Sequence, residues 1–298
     1  MVQKKSKKAD ITTQQIVLLI ILIASFAVIL FFIFRLNLGK TSAKEVCYNS
    51  VITRSSAVLP QDAIPLNCQT SYICISKDGT CEKMSGSREI KKVKTEDDIY
   101  NLLANEMADC WWMFGEGKVN YIGKEFIADR YCSICTQISF DDSIKEISDT
   151  GGSKIFANGE IDKKKLYEYL AKTNISDKKM SYLDYLTGVQ DVKKIEESLA
   201  SGNANFGKIY LDRHYAIVMG IASKVSAEGW AAAGAAAGTA VFPIVGTIIG
   251  GVVGYFGGPM IGTAIHGEAG NVYLSPTIIE ADSEEYNSLQ CASIKTLA

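Results

Sequence analysis

Cys132-Ser-Ile-Cys135 has the spacing of a redox dithiol, in which a helix N-terminus behind the first thiol lowers its pKa and readies it for attack on a disulfide. The motif lies in a run rich in β-branched and aromatic residues, with no helix opening behind it. A zinc site would need two further ligands; there is no second CxxC, and the only histidines are His214 and His266. His214 has no Ser or Cys and acid at a spacing that makes a triad, and reads as a structural histidine. His266 closes a long uncharged stretch, where protonation could bias insertion at acidic pH. The run Trp111-Trp112-Met113-Phe114-Gly115-Glu116-Gly117-Lys118 approaches a phosphate loop but places Trp112 and Val119 where Gly and Ser or Thr are required. These aromatics read as a core plug at a helix end. No catalytic set emerges, so the expectation is a non-enzyme without cofactor or metal.

The remaining cysteines point to covalent stapling. All eight, Cys47, Cys68, Cys74, Cys81, Cys110, Cys132, Cys135 and Cys291, follow an apolar segment near the N-terminus. An even count suits four bridges in an oxidising compartment, but eight cysteines allow 105 connectivities, and the sequence selects none.

That apolar segment, residues 16–34, is nineteen residues without a charge. As a helix it would cover roughly 28 Å, enough to cross a bilayer. Lys4, Lys5, Lys7 and Lys8 precede it, which places the N-terminus in the cytoplasm and the bulk of the chain outside the cell membrane. A cleaved signal peptide competes through Thr41-Ser42-Ala43, but the apolar run exceeds the usual h-region and ends in bulky residues before Arg35. An uncleaved signal anchor fits better. The net charge of −2 and the lack of a basic stripe exclude nucleic acid as the expected partner.

From residue 229 to 267 there is no Asp, Glu, Lys or Arg. Glycines recur at every fourth position, Gly246, Gly250, Gly254, Gly258 and Gly262, with Gly234 and Gly238 in phase. On a helix these fall on nearly one face and let another backbone approach closely. Locally the stretch resembles the glycine-zipper segments of otherwise unrelated membrane proteins, a likeness confined to these residues. Pro243 divides it, with Phe242 beside it at the leading edge, into two arms of a helical hairpin. A single crossing would strand Cys291 in a reducing compartment, and a double crossing would force an apolar bend into water. A re-entrant or sheltered hairpin, packed against other copies through its glycines, is therefore expected, with the lipid bilayer and a homo-oligomer as partners.

The rest reads as α+β. Residues 35–95 form a Cys-rich strand and loop region, including a hairpin turning at Asp78-Gly79. A helix starts after Thr95 with a capping box to Asp98 and buries Ile99, Leu102, Leu103, Met107, Cys110 and Trp111. A strand covers 131–140, polar helices fill 163–200, one strand runs through 210–220, and another covers 271–279. The expected divisions are a basic tail (1–15), the anchor (16–34), the Cys-rich region (35–95), an α+β ectodomain (96–226), the glycine-rich hairpin (227–267) and a returning tail (268–298) tied by Cys291. Two other functions compete with membrane insertion or self-association. One is a structural or adhesive envelope protein with a second anchor; the other is an exported thiol-disulfide oxidoreductase using the CxxC.

Overall fold

The structure is a computed structural model that describes residues 13–35, 42–56, 64–86, 88–122, 130–188, 206–222, 240–243, 260–266, 271–289 and 291–293. The chain divides into two compact units, Met1–Ser42 and Ala43–Ala298. In the first, α1 (Thr13–Arg35) is a helix holding the uncharged run, and Ile16 to Ile23, Phe26 and Val28 all expose their side chains. Among the described residues no helix is long and apolar enough to cross a membrane. The continuous run of described side chains in α1 is 16–28, about 20 Å at 1.5 Å per residue.

The second unit is mixed α+β. It opens with α2 (Ala43–Ser56), where a strand and loop region was expected. Cys47 and Val51, one helical turn apart, are its buried residues, and Glu45 in the first turn and Arg54 in the last suit the helix dipole. Strands β1 (Ser71–Ser76) and β2 (Glu89–Lys92) follow, then α3 (Glu96–Met113), β3 (Arg130–Phe140) and a short 3-10 turn at Asp142–Glu146. Next come β4 (Glu160–Asp162), α4 (Lys163–Lys172), α5 (Tyr182–Thr187), β5 (Lys208–Tyr210) and β6 (Tyr215–Ala222). The last elements are β7 (Ala240–Pro243), β8 (Met260–His266), β9 (Val272–Glu280), α6 (Glu284–Ser288) and β10 (Ala292–Ser293).

Eight strands form one sheet in the order β2-β1-β3-β6-β9-β8-β7, with β10 also on β3. The centre, β3-β6-β9-β8, is antiparallel, whereas β1 is parallel to both β2 and β3, and β7 is parallel to β8. Strand β6 shows why the sheet sits inside the protein. Its odd residues Tyr215, Ile217, Met219 and Ile221 join the large core with the helices, and its even residues Ala216, Val218 and Ala222 join a smaller cluster on the opposite face. That is the period of two expected of a strand covered on both sides.

The helix α3 matches its sequence signals. Thr95 caps it, its hydroxyl accepting from the Asp98 amide while the Asp98 carboxylate accepts from the Thr95 amide, and Ile99, Leu103, Met107, Cys110 and Trp111 are buried. Strand β3 and the cap of α5 by Ser181 also stand where expected, and β6 pairs with β9 as inferred. The expected helix at 191–200 lies outside the described residues.

Two local expectations are corrected. The Asp78-Gly79 turn does not close a hairpin, because the next strand, β2, lies parallel to β1. Asp-Gly fixes a reversal and leaves the next strand's partner open: Gly79 takes φ +94°, and the Asp78 carboxylate accepts from the Thr80 amide and the Ser76 hydroxyl. Nor is 210–220 one strand. The chain turns after Tyr210, where the Arg213 amide donates to the Tyr210 carbonyl, so β5 pairs with β4 in a separate two-stranded sheet.

Candidate functional site

Three features stand out in the 43–298 unit: the cysteine pairs, a cleft beside two of them, and the strands that bracket the uncharged stretch.

All eight cysteines are paired, as Cys47–Cys68, Cys74–Cys81, Cys110–Cys135 and Cys132–Cys291. Cys291 ties its segment back to the sheet, as expected. The two thiols of the CxxC, however, are bonded to different partners. Strand alternation explains the split: three residues apart on β3, Cys135 joins the large core beneath α3 and meets Cys110, while Cys132 lies with the opposite cluster and meets Cys291. The CxxC thiols are thus each in a bond with a distant partner and do not form the Cys132–Cys135 disulfide that a CxxC redox centre carries when oxidised.

A cleft of about 230 Å³ opens where β3 has no neighbouring strand among the described residues. On one edge of β3, β1 pairs with Thr136 to Phe140 and β10 pairs with Tyr131 and Cys132. Between them Ser133, Ile134 and Cys135 face the gap, together with Thr70, Tyr286 and Cys291. Thr70 partly closes it by donating its hydroxyl to the Ile134 carbonyl at 2.9 Å. Ser133 is buried, and among the described residues its hydroxyl oxygen has no hydrogen-bond partner. Nothing in the sequence marked this gap, since it depends on where β1 and β10 start and stop along β3.

Buried Glu106 and half-buried Glu116 act as structural ties. Glu106, on α3 and 6% exposed, accepts from the Thr136 hydroxyl at 3.1 Å and pairs with Lys44 on α2. Burial works against the Lys44 charge, but the Asp109 hydrogen bond and the two carboxylates outweigh it and raise its pKa. Glu116 sits just past α3 in a left-handed conformation, φ 56°, between Gly115 and Gly117. Burial works against its carboxylate, yet donation from Lys118, Lys178 and Tyr185 at 2.5, 2.6 and 2.6 Å brings its pKa down to about 2. Trp111 is core and meets Tyr273 edge-on, and Trp112 stacks on Tyr48 at 4.5 Å. His214 lies exposed in the turn before β6 rather than on a strand. Among the described residues no three of His, Cys, Asp and Glu converge to hold a metal ion.

The uncharged stretch is inserted between β6 and β9, which pair directly. Gly234, Gly238, Gly246, Gly250, Gly254 and Gly258 lie outside the described residues. Phe242 and Pro243 stand on β7, and Gly262 stands on β8 opposite Val241. At residues 240–243 and 260–266 the expected helical arms are therefore strands. Their composition accounts for this: Val241, Phe242, Ile261, Thr263 and Ile265 are β-branched or aromatic, and Pro243 is tolerated at the end of an edge strand. Among the described residues β7 pairs only with β8, so its other edge is unpartnered there.

No protein-family model, no curated protein and no solved structure matches the chain.

Proposed function

We propose that this chain is a non-enzymatic, membrane-anchored extracytoplasmic protein that uses its uncharged stretch, residues 229–267, to insert into a bilayer or to associate with copies of itself. The observation that carries the reading is the placement of that stretch: thirty-nine residues without a charge, rooted through β8 on the sheet of a domain that carries four disulfides. A rigid base lets an apolar excursion be displayed without unfolding the domain that carries it. Four disulfides and no free thiol suit an oxidising compartment. The nineteen-residue apolar run in α1 and the lysines before it supply the anchor and its orientation in this reading, with the N-terminus cytoplasmic.

Self-association has two physical supports. Glycines four residues apart share one face and allow close backbone approach. Among the described residues one edge of β7 is unpaired, and such an edge offers backbone groups to a further strand. The test replaces both Gly250 and Gly254 by Ile in the full chain. Loss of the oligomer in detergent, by light scattering, together with loss of liposome leakage is the expected outcome. An unchanged oligomer and unchanged leakage would remove the glycine face from the mechanism.

A further inference from the structure

The four disulfides differ in their surroundings. Cys74, Cys81, Cys110 and Cys135 are all buried, and Cys47 is buried beside a partly exposed Cys68. Only in Cys132–Cys291 are both residues partly exposed, and both line the cleft on β3. Thiol-disulfide exchange needs an attacking thiolate to reach a sulfur, so access decides which bond is cut first.

Cut sulfurs must also part faster than they rejoin. Cys47 and Cys68 would stay opposed, because α2 is held by buried Val51 and by the Arg54 guanidinium, which donates to the Ile64 carbonyl at 2.9 Å. Among the described residues Cys291 is held by fewer contacts. Beyond buried Leu289, the described chain is anchored by the disulfide and by β10, whose ladder is two residues long, Ala292 opposite Tyr131 and Ser293 opposite Cys132. With β10 gone, the open edge of β3 would grow from Ser133–Cys135 to Tyr131–Cys135, with the buried Ser133 hydroxyl at its middle.

We propose that Cys132–Cys291 is a reducible clamp: a dithiol reductant opens it, β10 leaves β3, and the strand edge around Ser133 is uncovered. One thiolate of the dithiol attacks the Cys291 sulfur, forming a mixed disulfide and releasing Cys132, which takes up a proton. The second thiol attacks that mixed disulfide and releases Cys291 as a thiol. The dithiol leaves as a cyclic disulfide, and its two electrons stay on the cysteine pair. This device is independent of any bilayer contact.

The test is a dithiothreitol titration of the native full chain in detergent, with thiols trapped by N-ethylmaleimide and located by peptide mass spectrometry. Cys132 and Cys291 are expected to be labelled together, at dithiothreitol concentrations at least about tenfold below those that label Cys74, Cys81, Cys110 or Cys135. The amide at 131 or 132 that faces β10 should then exchange at least about tenfold faster, while the β3 amides that face β6 and those at 136–140 that face β1 stay protected. Prior reduction of any other pair, or unchanged exchange at both 131 and 132 once Cys132 and Cys291 are labelled, overturns the clamp. The Cys132→Ser/Cys291→Ser double variant should show the fast exchange without reductant. Slow exchange in that variant, with the other three disulfides formed, also overturns it, and if the variant does not fold the wild-type titration decides alone.

Discussion

Replacing Glu116 by Gln removes a charge while keeping the Cβ and the left-handed backbone, so it isolates the electrostatic part of this residue's role. Its carboxylate accepts from Lys118, Lys178 and Tyr185, which lowers its pKa from 4.5 to about 2. The complete linkage for that difference is roughly 3.4 kcal/mol. Lys118 is 56% exposed and Lys178 36%, against 18% for Glu116, so solvent screening brings the expected contribution to about 1–2 kcal/mol. Because the folded-state pKa lies below the unfolded one, this stability is complete above about pH 5 and disappears as the pH falls through about 2. Urea unfolding of both proteins, with disulfides intact, should therefore show Glu116→Gln less stable at pH 7 by about 1–2 kcal/mol, with the gap shrinking to about 0.1 kcal/mol or less at pH 2. A gap that is constant across that range would mean that Glu116 acts through shape or backbone and not through its charge. Equal stability at pH 7 would refute the reasoning altogether.

Thr95→Ala removes the hydroxyl that caps α3 and half of its capping box, and should cost about 1 kcal/mol in the same unfolding measurement. Gly117→Ala should cost more, about 2 kcal/mol, since φ is +72° and the new methyl would lie 3.0 Å from the Trp111 ring; a thermal midpoint within a degree of wild type would contradict this.

The parts of the fold that were legible in the sequence are those specified by neighbours. Thr95 and Asp98 are three residues apart and cap the same turn, so the start of α3 could be read directly. The aromatic and β-branched run of β3 was equally plain. What escaped depended on partners far along the chain: which cysteines meet, that β2 adds parallel to β1, and that β1 and β10 leave a gap on β3. At Gly262, the one glycine of the period among the described residues, the helical expectation failed for a geometric reason. Four residues bring a helix round by 400°, nearly the same face, but they return a strand to its own face without error. A spacing of four therefore cannot tell the two apart, and at Gly262 the Ile, Thr and Ile alternation around it favoured the strand. Helix α2 was hidden because only Cys47 and Val51 mark its buried side.

The cysteine pairing also sets how far the 43–298 unit can be drawn out. A pull between Ala43 and Ser293 passes from Cys47 to Cys68, from Cys74 to Cys81, from Cys110 to Cys135 and from Cys132 to Cys291, so most of the chain lies in loops that carry no tension. With every bond closed, the path is about 45 residues, or roughly 150 Å when taut. Opening Cys132–Cys291 alone brings its 159-residue loop under tension and lengthens the reach to about 700 Å. One bond thus separates a short, stiff tether from a long, compliant one.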